Sequence, residues 1–192
     1  EEERFQPLYS ITGEAKLTER IIPLSGYQGN NTPVRVGNQA YEHIQNDVYG
    51  HVLTSLVPLF VDERLADDDK RAMLPMVMRI LKKIEETMYE PDAGLWEFRN
   101  KAQQHAYTFL FHWAGSQAAL KIARKYRDFE MMTLAERLVK EAEKQVVAAY
   151  DECRGVYTQA IDSKNLDASM LQLITMKYLD PSGDRAKKHI EE

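Results

Sequence analysis

The sequence predicts an all-α domain, and three observations carry that expectation. Apolar residues recur at helical spacing over most of the chain after residue 38. Helix-start and helix-stop residues punctuate those runs, acidic or Asn residues before them and Pro or Gly after them. The chain has 192 residues, 44% hydrophobic and 29% charged, which suits one domain with a real core and no linker.

Residues 5–24 read differently. "PLYSITGEAKLTERIIPL" has short apolar runs, a Thr-Gly turn signal and Pro at both edges, and predicts a β-hairpin-like excursion. "SGYQGNNTPVR" then reads as a loop. From Asn38 the residues Ala40, Ile44, Val48, Val52 and Leu56 form a stripe, widened by Leu53 and Leu59, that predicts one helix to about Arg64. Asp67 to Asp69 are expected to cap a second helix over 70–89, with Pro75 in its first turns where proline is tolerated. Further helices are predicted over 101–125, 129–151 and 166–179, and a last one from Asp184. "ECRGVYTQAIDSKN" reads as a loop with a short extended piece. "MLPMVMRIL" reads as core packing.

Sequential helices of this kind pack antiparallel. Every second connection then falls at the same end. The connections 26–37, 90–100 and 154–165 carry Trp, Tyr, Asn, Gln and Arg, while those at 65–69 and 127–130 are plain. One end of the array is therefore dressed for binding. No tight repeat of the tetratricopeptide kind is present.

Several function classes are excluded or disfavoured. The net charge is −5, without the Lys and Arg excess that neutralises phosphates, so no nucleic-acid partner is expected. No run approaches the roughly 18 apolar residues of a membrane span, so no membrane partner is expected either. Cys153 is the one cysteine, which permits no internal disulfide and no Cys-based zinc site and suits a reducing, cytoplasmic compartment. The chain opens on "EEERFQPLYS" without Met, so its start reads as a cut end. His105 and His112 share one predicted helix face and His43 and His51 another, but no HExxH or completing carboxylate makes them metal ligands. No G-x-S-x-G, P-loop or Rossmann fingerprint occurs. Neither metal nor cofactor is expected.

The chemistry-bearing stretch is "DAGLWEFRNK". It sets Trp96, Glu97 and Arg99 together where one helix ends and another begins. Glu97 reads either as a surface carboxylate paired with Arg99 or as an acid whose pKa an adjacent aromatic raises. Trp96 reads either as core or as a flat face for the C–H groups of a sugar ring. Arg35 and Asn38 in "PVRVGNQA" suit sugar hydroxyls, and Asn38 equally suits a helix N-cap. Tyr27 and Gln28 in "GYQG" are rim residues. Asp167 in "NLDAS" reads as a helix-start acid or as a hydrogen-bonding acid near a ligand.

Three motifs, "GYQGNNTPVRVGNQAYEHIQNDVYGHVL", "GLWEFRNKAQQHAY" and "GVYTQAIDSKNLDASMLQL", occur in the order seen in glycoside hydrolase family 15, and the chain resembles that family from about Phe5 to Arg185. The resemblance implies part, about half, of an (α/α)6 barrel of antiparallel helix pairs. It implies an inverting, exo-acting enzyme on α-glucosidic bonds, glucoamylase-like, with trehalase as the alternative and a non-catalytic carbohydrate-binding barrel or a helical interaction module beyond that. By resemblance Glu97 is the general acid and Trp96 the sugar platform. Arg35, Asn38, Tyr27 and Asp167 then contact substrate, Arg99 supports the site, and Asp47 is structural. Ser163 and Lys164 stand where some members carry an arginine. The second carboxylate of an inverting pair stands about 6.5–9.5 Å from the first, and the resemblance puts it beyond residue 192. The 192 residues alone are therefore expected to be inactive and, with apolar helix faces uncovered, to self-associate. The implied partner is an α-linked gluco-oligosaccharide or trehalose.

Overall fold

The computed structural model describes residues 4–65, 69–98 and 101–192. The chain divides into two compact units, Glu1–Gln45 and Asn46–Glu192.

In the first unit, strand β1 (Arg20–Ile22) pairs antiparallel with β2 (Val34–Val36), setting Ile21 opposite Arg35. The β-hairpin-like excursion expected near the N-terminus is present, with its bounds shifted from 5–24. Only the end of that stretch is a strand, and its partner comes from the predicted loop. The Thr12-Gly13 turn does form, with the Ser10 hydroxyl oxygen accepting from the Thr12 and Glu14 amides, but it closes on itself and starts no ladder. β-Branched residues on both sides, Ile21 and Ile22 against Val34 and Val36, favour the longer-range pairing. A 3₁₀ turn (Tyr27–Gly29) interrupts the connection and another (Gln39–Glu42) follows β2.

The second unit holds α1 (Asp47–Val61), α2 (Leu74–Thr87), α3 (Ala106–Tyr126), α4 (Phe129–Ala148), the pair β3 (Tyr150–Asp151) and β4 (Val156–Tyr157), then α5 (Gln172–Thr175) and α6 (Asp184–Glu191). The fold is all-α apart from these short strands. The first predicted helix is corrected at its start. The chain leaves the 3₁₀ turn at His43 in extended conformation, and α1 begins only at Asp47. The expected stripe breaks accordingly: Ile44 is exposed, Leu53 is buried as expected, and α1 also buries Tyr49, Gly50 and Phe60. The predicted capping residues Asp67 and Asp68 lie outside the described residues. Helix α2 starts behind a 3₁₀ turn (Lys70–Met73), with Pro75 in its first turn. Helix α3 starts five residues later than expected, because Gln103 and His105 bridge instead to Asp92 and Ala160. The fifth helix shrinks to a 3₁₀ turn (Ala168–Leu171) and α5.

Helices α1 and α3 are parallel neighbours. At one end the His112 Nε2–H donates to the Asn46 carbonyl at 3.0 Å, and at the other Lys125 Nζ and Tyr126 Oη reach the Val61 and Phe60 carbonyls. Helices α2 and α4 run the opposite way and meet each other through Arg137, which ion-pairs Glu85 and, at 3.1 Å, Glu141. The chain thus alternates between two layers, the arrangement of paired helices in a barrel segment. Helix α3 is buried on nearly every side, as an element between α1 and α4 must be. A groove of about 530 Å³ runs along α1 and α3, lined in part by Val57, Ala114, Ala118 and Leu120.

The crossing of α1 and α3 is set by two glycines. A Cβ on Gly50 would lie 2.0 Å from the Phe111 carbonyl oxygen, and one on Gly115 would lie 2.6 Å from the Gly50 Cα. This contact brings the first turns of α1 beside the first turns of α3, where the polar groups of the next section gather.

Candidate active site

The 88–105 and 149–171 connections lie at the end of the second unit where α1 and α3 begin. Backbone bonds stitch them together. Ala106 N donates to the Gln159 carbonyl at 3.0 Å, and Ile161 N donates to the Gln104 carbonyl at 3.1 Å. Asp92 pairs with Gln103 by bonds of 2.9 and 3.0 Å across the base of the first connection. The loop that follows it is thereby held at its root.

That loop carries Trp96 and Glu97. Glu97 N donates to the Gly94 carbonyl at 3.1 Å, and Phe98 N reaches back to the Ala93 carbonyl at 3.2 Å. Closing this turn puts Glu97 at φ +53°, in the left-handed region where glycine is the cheap residue. The Glu97 side chain is half-buried. Trp96 is 57% exposed, which removes the core reading of its ring. Its indole Nε1–H donates to Asp167 Oδ2 at 2.6 Å. The other Asp167 oxygen accepts from Ser169 N at 2.8 Å and caps the 3₁₀ turn. One carboxylate therefore fixes an exposed aromatic plate from a second connection.

The model for glycosyl hydrolases family 15 matches residues 2–190. The chain belongs to that family.

Among relatives, this family 15 chain is 29% identical over 182 residues to a trehalase of Thermoplasma volcanium, covering 94% of this chain and 28% of that protein. It is 26% identical over 186 residues to a trehalase of Mycobacterium tuberculosis, covering 96% and 27% respectively. It is 27% identical over 195 residues to a trehalase of Thermoplasma acidophilum, covering 33% of that protein. The chain thus spans about a third or less of the length of these curated relatives. No solved structure matches it at a significant level.

The residues singled out for family 15 chemistry divide between the units. Tyr27, Arg35 and Asn38 lie in the first. Tyr27 is exposed in its 3₁₀ turn, Arg35 on β2 ion-pairs Glu19 at 2.9 Å, and Asn38 Oδ1 accepts from Ala40 N at 2.9 Å as an N-cap. Trp96, Glu97 and Asp167 lie in the second, where the structure brings Trp96 and Asp167 into contact. Arg99 lies outside the described residues. Asp47 is buried in the first turn of α1, its Oδ2 3.2 Å from His51 Nε2, which Tyr107 Oη also approaches at 3.2 Å. His51 stacks on Phe111 with ring centroids 3.6 Å apart. Among the described residues, no group of three or more His, Cys, Asp or Glu is placed to hold a metal ion. No helix among them is long and apolar enough to cross a membrane.

Sequence reasoning missed Asp92, which opens "DAGLWEFRNK" but was given no role there. Asp92 is 1% exposed and has no cationic partner among the described residues. Its Oδ2 accepts from Asn46 N and Thr108 Oγ1, both at 2.9 Å, and its Oδ1 from Gly94 N at 3.1 Å. Burial pushes its carboxyl up from 3.8 to about 6, and the nearby Asp47 charge adds to the rise. The Asp-x-Gly spacing was a usable signal, since an Asp oxygen taking the amide two residues on makes an Asx-turn. His112, fully buried, is pushed down to about 4 by desolvation and stays neutral. His105 also lies below the usual histidine range, chiefly through burial.

The Asp92 shift has a signed consequence. A carboxyl with a higher pKa folded than unfolded binds its proton more tightly in the native state, so stability falls as pH rises through the window. The contribution is fully present below 3.8 and lost by about 6. It amounts to about 3 kcal/mol. Denaturant unfolding of wild type and Asp92→Asn, compared at pH values across that window, should show the wild type gaining on the variant by an amount of this order as pH falls. A difference independent of pH would contradict the raised pKa.

Proposed function

We propose that a full-length protein carrying this segment is a glycoside hydrolase of α-glucosidic bonds, and that its substrate is trehalose. Membership of family 15 supports the reaction class. Relatives named trehalase support the sugar, and they move trehalose, the alternative in the sequence reading, ahead of the glucoamylase-like one, which the motifs do not separate from it. The observation that carries the site assignment is the loop itself: Glu97 in a left-handed turn position, directly after an exposed Trp96 whose indole is anchored by Asp167.

In this reading Trp96 supports one glucose ring by stacking. Glu97, protonated, gives its proton to the bridging oxygen as the C1–O bond breaks. Water adds to C1 from the opposite face and loses its proton to a second carboxylate, which the rest of the family domain supplies. The products are two glucose molecules, one with its anomeric centre inverted.

Proton NMR of the first turnovers tests this. Inversion of the α,α-linked disaccharide releases one α- and one β-glucose, whereas retention releases α-glucose only. Equal initial α and β signals from trehalose, with maltose and maltotriose untouched, are the expected result. Turnover of maltotriose with β-glucose appearing first would restore the glucoamylase-like reading. No turnover of any sugar would remove the enzyme reading.

A further inference from the structure

We propose that Asp92 is a positioning residue for the acid loop: its buried carboxylate ties the Gly94 amide to the start of α1 and so holds Trp96 and Glu97 in place. The proposal rests on the reading of Glu97 as the acid.

Three groups converge on Asp92, and all three come to it as donors: Asn46 N at the start of α1, Thr108 Oγ1 in the first turn of α3, and Gly94 N in the loop. A carboxylate accepts at both oxygens and can receive all three. An amide presents one accepting oxygen and cannot. The charge is kept where no cation balances it among the described residues, and where burial opposes it.

Gly94 is held from its other face as well. Its φ is +67°, and a Cβ there would lie 2.6 Å from His105 Nε2. The His105 ring is 6% exposed, hydrogen-bonds the Gln159 backbone and leaves Nε2 without a partner beneath the loop. The glycine therefore sits against an imidazole below, with its amide turned into the Asp92 carboxylate. The chain has only Leu95 between this fixed point and Trp96, and Glu97 follows directly. A shift at Gly94 is transmitted to the acid at once, and a displacement of about 1 Å can cost 10²-fold in rate.

The test uses a full-length protein carrying the segment, assayed on trehalose above pH 7 with Asp92→Asn, Thr108→Val and Glu97→Gln side by side. In Asp92→Asn the single oxygen can keep Asn46 and Thr108, which leaves the side-chain NH₂ facing the Gly94 N–H. The expected result is a fall in kcat of about 10- to 100-fold with KM within about threefold. Thr108→Val removes only the tie to α3, and should lower the melting temperature while keeping kcat within about threefold. An Asp92→Asn enzyme with wild-type kcat beside an inactive Glu97→Gln overturns this proposal alone. Equal losses of kcat in Asp92→Asn and Thr108→Val reduce Asp92 to general structure and also overturn it. An active Glu97→Gln overturns the acid reading and this proposal with it. Should Asp92→Asn not fold, amide exchange of the wild type decides. Gly94 protected to the same order as Asn46 supports the clamp, and Gly94 exchanging at the unprotected rate overturns it.

Discussion

Replacing Glu97 by Gln in a full-length protein lowers kcat on trehalose by about 10³-fold or more and leaves KM within about threefold. Gln has nearly the same shape and can still hydrogen-bond the bridging oxygen, so ground-state binding survives. What it cannot do is transfer a proton as the C–O bond breaks, and an alkoxide leaving group makes that transfer worth several kcal/mol. The decisive control is α-glucosyl fluoride, whose fluoride leaves without protonation. Glu97→Gln should retain most of its wild-type rate on that substrate. Equal loss on both substrates would make Glu97 something other than the acid. A second variant uses the backbone. Because Glu97 sits at φ +53°, Glu97→Gly relieves a steric cost and should raise stability by up to about 1 kcal/mol while abolishing trehalose turnover. A residue that costs stability where a glycine would relieve it is the pattern of a functional position.

Gly50→Ala should be among the most destabilising single-methyl additions available in this segment, at roughly 3–5 kcal/mol or loss of folding. The added carbon would start 2.0 Å from the Phe111 carbonyl oxygen, a backbone atom that no rotamer change can move. Only separation of α1 from α3 by more than about 1 Å restores contact distance, and that opens gaps along the whole crossing. Gly115→Ala meets the Gly50 Cα at 2.6 Å and should cost a similar amount. The double variant should cost clearly less than the sum, because helices already pushed apart by one methyl accept the other. Additive losses in denaturant unfolding would mean that the two glycines do not share one contact. Activity is expected to fall with either variant before stability is exhausted, since the same crossing aligns Asn46 with the Asp92 carboxylate.

How far the sequence could be read differs from element to element. Helices α2 and α4 were legible because each has one apolar face and a marked start, Pro75 in the first turn of one and the Asp128 cap on the other. The start of helix α1 was misread because the residue that α3 approaches most closely there has no side chain. Gly50 carries no hydrophobic signal, so the apparent stripe followed Ile44, Val48 and Val52, which remain at least partly accessible. The hairpin was misplaced because a local turn at Gly13 looked sufficient, whereas β1 pairs across a longer loop. In the site, the Trp96 and Asp167 stretches were visible as separate motifs, and their contact across 71 residues of chain was not, since spacing along one sequence does not report it. Asp92 was hidden by its own chemistry. A carboxylate in a turn reads as solvated, and only the fold reveals that its partners are the starts of two helices.

The burial of α3 on nearly every side also bears on how the chain is made. An amphipathic helix can wait at a surface for its partner, but α3 cannot, because both of its faces are apolar. During synthesis it emerges before α4, the helix that covers one of them. Until residues up to Ala148 are free of the ribosome, α3 must stay unfolded or be shielded by another protein. A stall after α3 has left the ribosome but before α4 has done so therefore leaves a helix with apolar faces uncovered.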